Sequence, residues 1–339
     1  MKGLSLFSGI GGLDIAAGWA GITPVLLSEI EPYACSILRK RWENIQNVGD
    51  ITRYTDATLR ELGGFPFYPC GKCPADDKES IDIIYGGFPC QDVSVAGKQR
   101  GLSGKRSRLW FEMLRVIREI RPRWVLAENV RGAVNLALDT VKAGLEQEGY
   151  KVWAFVIPAS AVGAPHQRER LFVIGCKKSV CTILEKQLHR INLPFVKKKP
   201  CTAVSKGAFW PTPTVGTSGS GHLCGGTGHW QMLTQHLPLK EARKMGAGNG
   251  GKLNPDWVEN LMGFQIGWTD IACNHPISFK GWPALINSTQ YPYEPPRTID
   301  CIPYRAQRLK CLGNAVVPQQ AYPFFRAVRE LNVIYSSCC

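Results

Sequence analysis

The segment Lys2-Gly3-Leu4-Ser5-Leu6-Phe7-Ser8-Gly9-Ile10-Gly11-Gly12 decides the fold, because an apolar run ends there in a cluster of glycines. The next residues, 13–19, have the apolar spacing of a helix. Glycine permits a tight turn between a strand and a helix, and it lets a ligand approach the main chain. The segment therefore predicts a first strand, a ligand-binding turn and a first helix.

Strand-like and helix-like segments alternate over the first half of the chain. The predicted strands cover residues 2–7, 24–28, 81–85, 124–127, 152–157 and 171–174, and the predicted helices cover residues 13–19, 33–42, 109–120 and 140–149. This alternation predicts an α/β fold with a mainly parallel sheet and helices on both faces. Further on, residues 254–263 and about ten residues from Ala321 onward also have helical spacing.

Composition indicates a basic protein with a polyanionic partner. The 339 residues include 41 Lys and Arg against 27 Asp and Glu, a formal net charge of +14. Such a surplus favours nucleic acid, although a basic protein without such a partner stays possible on charge alone. No stretch is long and apolar enough to cross a bilayer, and the amino terminus lacks a signal-peptide pattern, so a cytoplasmic protein is expected.

The 13 cysteines are expected to be mostly free thiols in a reducing compartment. Cys70 and Cys73 form a single C-x2-C pair. Zinc requires four ligands and no second pair lies nearby, so we expect a surface loop and no metal site.

An acidic residue follows the glycine turn at the distance typical of nucleoside-binding folds. Glu29 ends the second predicted strand, about twenty residues after the turn, where a carboxylate can accept hydrogen bonds from ribose hydroxyls. The pattern departs from G-x-G-x-x-G at Asp14, which counts against a dinucleotide. At this point the ligand is either a dinucleotide or S-adenosylmethionine.

Three further motifs are predicted to meet at one edge of the sheet. Cys90 follows the strand at 81–85, Glu128 ends the strand after it, and Arg168 and Arg170 precede the strand at 171–174. Ligands of open α/β sheets bind beyond the carboxyl ends of the strands, and a thiolate there can attack an electrophilic carbon. Taken singly, each motif also fits a buried structural thiol or a solvated charge.

Together these motifs resemble those of the cytosine-5 DNA methyltransferases. The matching segments are Phe7-Ser8-Gly9-Ile10-Gly11-Gly12, Gly87-Phe88-Pro89-Cys90-Gln91, Glu128-Asn129-Val130, Gln167-Arg168-Glu169-Arg170 and Gly313-Asn314-Ala315-Val316, in the order of the family. The resemblance covers about residues 1–175 and 253–330. It implies a Rossmann-like S-adenosylmethionine-dependent methyltransferase fold with a small, loop-rich target-recognition domain.

The resemblance also implies roles for individual residues. Cys90 would be the nucleophile, Glu128 would contact the ring nitrogen and exocyclic amine of cytosine, and Arg168 and Arg170 would steady the base and Cys90. The implied cofactor-binding residues are Phe7, Gly9, Ile10, Gly11, Gly12, Glu29, Ile30, Asp50, Ile51, Pro89 and Asn314. Among these, Phe7 would stack on the adenine, Glu29 would hold the ribose and Asp50 would bind the adenine amino group. Ile30 stands where family members often carry Trp, so one face of the implied adenine site departs from the family pattern.

The implied domains are residues 1–176 for catalysis and cofactor binding, and residues 177–300 for target recognition, including the helical stretch 253–270. Residues 301–330 return to the catalytic domain, and residues 331–339 form a tail. The implied function is methylation of carbon 5 of a flipped-out cytosine in double-stranded DNA, by a monomer that belongs to a modification or restriction-modification system with a possible cognate endonuclease.

Two other functions are weighed against this one. An enzyme of the same fold acting on transfer RNA typically has a Cys-Phe-Thr signature in its second region, which this sequence lacks. A DNA-binding protein that has lost catalysis predicts damage to Cys90, Glu128 or Arg168, and all three are intact.

Overall fold

The structure is a computed structural model that describes residues 1–55, 58–59, 61, 81–89, 109–191, 209–210, 252–285, 288–299 and 301–337, with side chains omitted for 186–191. Predictions that concern Cys90, the Cys70–Cys73 pair, the segment 211–251 and the last two residues lie outside the described residues. Within the described part, no helix is both long enough and apolar enough to span a membrane.

Strands and helices alternate as the sequence predicts. The strands are β1 (Lys2–Leu6), β2 (Thr23–Ser28), β3 (Gln46–Asn47), β4 (Ile83–Gly87), β5 (Trp124–Val130), β6 (Tyr150–Ile157), β7 (Arg170–Lys177), β8 (Lys252–Leu253) and β9 (Thr298–Ile299). The helices are α1 (Gly12–Trp19), α2 (Pro32–Arg41), α3 (Leu109–Ile120), α4 (Leu138–Gln147), α5 (Lys178–Ile191), α6 (Pro255–Leu261), α7 (Arg305–Asn314) and α8 (Pro318–Ser336).

Seven of these strands form one sheet in the order β3-β2-β1-β4-β5-β7-β6. Neighbouring strands from β3 to β5 are parallel, whereas β7 pairs antiparallel with both β5 and β6. The mainly parallel α/β fold is therefore confirmed, and the antiparallel hairpin at one edge is an addition to the prediction. The carboxyl ends of the parallel strands lie at one edge, where the candidate site is found.

Helices bury both faces of the sheet. On one face, Trp110, Met113 and Ile117 of α3 pack with apolar residues of β1, β4 and β5. On the other face, α1, α5 and α8 pack on Tyr85 and Phe172. Because parallel strands are covered on both sides, their residues are almost uniformly apolar, as the sequence shows.

The second half of the chain contains helices that the sequence analysis missed. Residues 178–184 begin α5 and contribute Val180, Cys181 and Leu184 to the same core as α1 and α8. The start of the predicted recognition region is thus packed in the catalytic core, and the basic residues around Lys178 concealed an amphipathic helix. Helix α7 was also missed, and α8 begins at Pro318 and runs to Ser336 instead of covering ten residues from Ala321. The structure therefore extends α8 through most of the predicted tail at 331–339.

A separate cluster joins residues 253–268 to the glycine turn and to α7. Trp257, Leu261 and Phe264 pack with Ile10 of the glycine turn and with Leu312 of α7. Beneath them, the buried Arg308 pairs with Glu259 at 2.8 Å and with Asp256 at 2.6 Å. A buried cation needs such partners to offset its desolvation, so the cluster holds α6 and α7 in one arrangement.

Candidate active site

One pocket lies beyond the carboxyl ends of β1, β2, β4 and β5. Its lining consists of Phe7, Ser8, Gly9, Ile10, Gly12, Leu13, Glu29, Glu31, Ala34, Gly87, Glu128, Cys311, Asn314, Ala315 and Val316. Residues from the glycine turn, from the end of β5 and from the α7–α8 junction therefore share a single cavity.

The glycine turn after β1 has a backbone that few residue types can adopt. Phe7, Gly9 and Gly11 have φ angles of 53°, 57° and 82°. A Cβ atom on Gly11 would also collide with the indole ring of Trp42. Gly11 is thus required by packing against α2 and does not line the pocket. From the other side, the Trp268 indole nitrogen donates to the main-chain oxygen of Ile10 at 2.9 Å.

Hydrogen bonds hold the Glu29 side chain against the glycine turn. Its carboxylate accepts hydrogen bonds from the main-chain nitrogens of Gly9 at 2.7 Å and of Ile30 and Glu31 at 2.8 Å each. Asn47 bonds the Glu29 main chain at both its nitrogen and its oxygen. A carboxylate held by three backbone donors has little freedom, so its position in the pocket is set by the fold.

Four other predicted cofactor residues do not line the pocket. Ile30 is 66% exposed, and Pro89 is not in the lining. Ile51 is buried in the core cluster with residues of β1 and β4. Asp50 caps the short turn that follows it, and its carboxylate bonds Thr52. Their cofactor roles remain predictions.

Glu128 forms an ion pair at the inner end of the pocket. Arg170 Nε lies 3.0 Å from Glu128 Oε1, and both side chains are nearly buried. Burial raises the pKa of Glu128, while the charges of Arg170 and Arg168 act in the opposite direction. A Cβ atom on Gly87 would lie 2.7 Å from Glu128 Oε2, so the glycine makes room for the carboxyl group.

Arg168 is held differently from Arg170. It is buried, has a φ of 26°, and donates from Nη2 to the main-chain oxygens of Gly313 at 2.9 Å and Ala315 at 2.5 Å. The structure thus ties Arg168 to the α7–α8 junction, and Asn314 and Ala315 of that junction line the pocket. The expectation that both arginines steady the base and Cys90 stays a prediction. Arg170 contacts Glu128 directly, and Arg168 supports the pocket wall.

Asn129 is a buried polar residue beside the site, and the sequence analysis gave it no role of its own. Its side-chain nitrogen donates to the main-chain oxygen of Phe88 at 3.2 Å. This bond fixes the segment that leads through Pro89, the last described residue before Cys90. A polar residue in an otherwise apolar, buried strand was the available signal.

His166 is buried beside the arginine motif. Its Nε2 is 2.9 Å from the main-chain oxygen of Leu261, and burial lowers its pKa to about 3. The imidazole is therefore neutral near pH 7.

Comparison with known proteins identifies the class of this fold and site. The family model of the C-5 cytosine-specific DNA methylases matches residues 1–201. The chain belongs to the C-5 cytosine-specific DNA methylase family. The match continues past residue 176, in agreement with the packing of α5 in the catalytic core.

Individual relatives are type II methyltransferases of bacteria. The chain is 35% identical over 185 residues to M.Eco47II of Escherichia coli, a match that covers 52% of this chain and 40% of the relative. It is 33% identical over 187 residues to M.AquIA of Picosynechococcus sp., which covers 51% of this chain and 71% of the relative. The match therefore spans about two fifths of the first relative's length. The crystal structure of Schizosaccharomyces pombe Dnmt2 methyltransferase shares the fold, with a TM-score of 0.58, 17% identity, and coverage of 98% of this chain and 99% of that chain.

Proposed function

We propose that the protein is a DNA (cytosine-5-)-methyltransferase that uses S-adenosylmethionine and forms a covalent intermediate through Cys90. One observation carries the proposal: a single pocket is lined both by the Glu29–glycine turn and by Glu128 with Gly87. A cofactor and a reacting base need to be adjacent for direct group transfer, and a shared pocket satisfies that requirement.

The pocket residues fit the proposed cofactor. Phe7 and Ile10 provide apolar surface, Gly9 allows close approach of a ligand to the main chain, and Glu29 offers carboxylate oxygens to hydroxyl donors. When bound, S-adenosylmethionine would supply an electrophilic methyl group. The glycine turn and Asn314 would orient it toward Glu128.

Cys90 would start the reaction because cytosine carbon 5 is a poor nucleophile in the intact aromatic ring. Addition of the Cys90 thiolate to carbon 6 forms a carbon–sulfur bond and moves an electron pair toward carbon 5 and the ring nitrogen. Carbon 5 then takes the methyl group. Loss of the carbon 5 proton to a base, followed by departure of the thiolate, restores the double bond.

Glu128 would stabilise the ring while its charge changes. A carboxyl group whose pKa is raised by burial can share a proton with the ring nitrogen as negative charge builds there. Arg170 would hold this carboxyl group in place, and Arg168 would hold the pocket wall. Carbons 5 and 6 become accessible only when the base leaves the duplex, so the substrate would be flipped-out cytosine.

Target recognition is proposed for the segment between residues 177 and 300. The best candidates are residues 192–208 and 211–251, because residues 178–184 belong to the catalytic core and residues 253–268 pack with Trp210 and the glycine turn. The type II names of the relatives favour a role in a restriction-modification system with a cognate endonuclease. The basic surplus favours double-stranded DNA as the partner. A monomeric state and a cytoplasmic location stay predictions.

Duplex DNA that carries 5-fluorocytosine at the target tests the proposal. Fluorine cannot leave as a cation, so elimination stalls after methyl transfer, and the bond between Cys90 and carbon 6 persists. We expect a protein–DNA adduct on a denaturing gel that requires S-adenosylmethionine. The target sequence is first found by bisulfite sequencing of DNA from cells that express the protein.

Two cysteine variants complete the experiment. Cys90→Ser should abolish adduct and turnover while DNA binding persists, since phosphate contacts do not depend on this thiol. Cys301→Ser removes an exposed thiol and should leave the adduct unchanged. Full turnover by the Cys90→Ser enzyme, or an adduct mapped to Cys70 or Cys73, would contradict the assignment.

A further inference from the structure

Two consecutive glutamines at the start of α8 bind different parts of the molecule. Gln319 donates to the main-chain oxygen of Gly263 at 2.9 Å. Gln320 is fully buried and donates from its side-chain nitrogen to the main-chain oxygens of Ile157 at 2.8 Å and Arg168 at 2.9 Å. Only Gln320 therefore contacts the arginine motif.

The two bonds of Gln320 join the two ends of the segment between β6 and β7. Ile157 is the last residue of β6, and Arg168 lies two residues before β7 begins at Arg170. Gln320 thus forms a hydrogen bond at each end of the segment 158–169. Ile157 also stands opposite Arg170 in the β6–β7 pairing, so the bond to Ile157 lies next to the arginine that contacts Glu128.

The main chain at Arg168 needs this support. Its φ of 26° lies in the left-handed region that side-chain-bearing residues rarely adopt, and such strain persists only where neighbours enforce it. Bonds act on both ends of Arg168: Gln320 donates to its main-chain oxygen, and its guanidinium donates to Gly313 and Ala315 at the α7–α8 junction. Both holders belong to the carboxyl-terminal part of the chain.

We propose that Gln320 is a positioning residue for methyl transfer, which acts by fixing the Arg168 main chain and through it the Arg170–Glu128 pair. The inference rests on the proposed function. It assigns to Gln320 no contact with substrate or cofactor. Gln319 is also a glutamine and precedes Gln320 in α8, so it provides a matched control.

Gln320→Met keeps the length of the side chain and removes both donors. A displacement of a fraction of an ångström at Glu128 should lower kcat by about tenfold. The KM for S-adenosylmethionine should change by less than about threefold, because the Glu29 turn is untouched. Gln319→Met should also lower the melting temperature, by less than Gln320→Met because it loses one part-buried hydrogen bond, and it should keep wild-type kcat.

The pH–rate profile separates positioning from stability. The charged groups that face Glu128 are Arg170, from β7, and Arg168, from the segment before it. Weaker contact with these arginines raises the pKa of Glu128 further, so the inflection that belongs to Glu128 should move to higher pH in Gln320→Met. It should not move in Gln319→Met.

The decisive comparison is the kcat and the pH profile of the two methionine variants at a temperature where both are folded. A Gln320→Met enzyme with wild-type kcat and profile would overturn the inference, as would an equal loss in Gln319→Met. If Gln320→Met does not fold, Gln320→Asn replaces it. That amide is too short to reach both oxygens and should give an intermediate kcat, and wild-type kcat there would also count against the inference. An inactive wild-type enzyme would instead refute the proposed function.

Discussion

Gly87 offers the sharpest separation of catalysis from stability in this fold. It stands opposite Glu128 in the parallel β4–β5 pair, and its φ is not in the left-handed region, so alanine is compatible with its backbone. The added Cβ atom would lie 2.7 Å from Glu128 Oε2, whereas ordinary contacts begin near 3.4 Å. The carboxyl group must therefore move by up to about 0.7 Å from its place beside Arg170.

The size of this displacement sets the expected loss of kcat. A misplacement of 1 Å at a reacting group costs about a hundredfold in rate, so Gly87→Ala should lower kcat by about tenfold or somewhat more. Its stability should stay the same or rise slightly, because the colliding atom is the end of a flexible side chain and alanine restricts the unfolded chain. The measurements are kcat at saturating DNA and S-adenosylmethionine, and the free energy of unfolding.

The preceding residue provides the control. A Cβ atom on Gly86 would collide with the main-chain oxygen of Leu6 in β1, which cannot move without distorting the central sheet. Gly86→Ala should therefore destabilise the protein by about 1–3 kcal/mol. If Gly87→Ala keeps wild-type kcat, or loses stability to the same extent as Gly86→Ala, the placement of Glu128 at the reacting centre is wrong.

Two further predictions concern the carboxyl groups of Glu29, in cofactor binding, and of Asp14, in stability. Glu29→Ala should weaken S-adenosylmethionine binding at least about tenfold in calorimetry, because a charged hydrogen bond contributes about 1.5–3 kcal/mol, and the exposed Glu43→Ala should not. Asp14 is buried on α1, where desolvation raises its pKa from 3.8 to about 6, so its ionisation destabilises the fold as pH rises through this range. Asp14→Asn should be more stable than wild type by up to about 3 kcal/mol above pH 7, and by much less near pH 4. A difference that does not vary with pH in urea titrations would contradict the Asp14 prediction.

Local patterns in the sequence predicted one half of the site well. The glycine turn, Glu29 and Glu128 lie at the ends of strands, and the position of a strand end follows from nearby apolar runs and glycines. Their convergence follows from the parallel sheet, since carboxyl ends share an edge. These parts needed no knowledge of distant contacts.

The other half depends on contacts across long stretches of sequence. Gly313 accepts from Arg168 over a separation of 145 residues, and Gln320 reaches Arg168 over 152. No periodicity encodes such pairs. The resemblance predicted that Arg168 matters, but a motif states residue types and not which oxygen each donor meets.

The pocket is completed from both sides of the predicted recognition region. Its floor comes from β1, β4 and β5, and its wall at Asn314 and Ala315 comes from the α7–α8 junction after that region. Helix α5, at the start of that region, shares one buried cluster with α1 and α8. The elements on either side of the predicted recognition region therefore pack in the catalytic core, and Arg168, Gln320 and Arg308 bond these elements to one another. The bonds of these three residues described above all join residues outside 211–251. We therefore expect target choice to vary within 211–251 without disturbing the chemistry at Glu128.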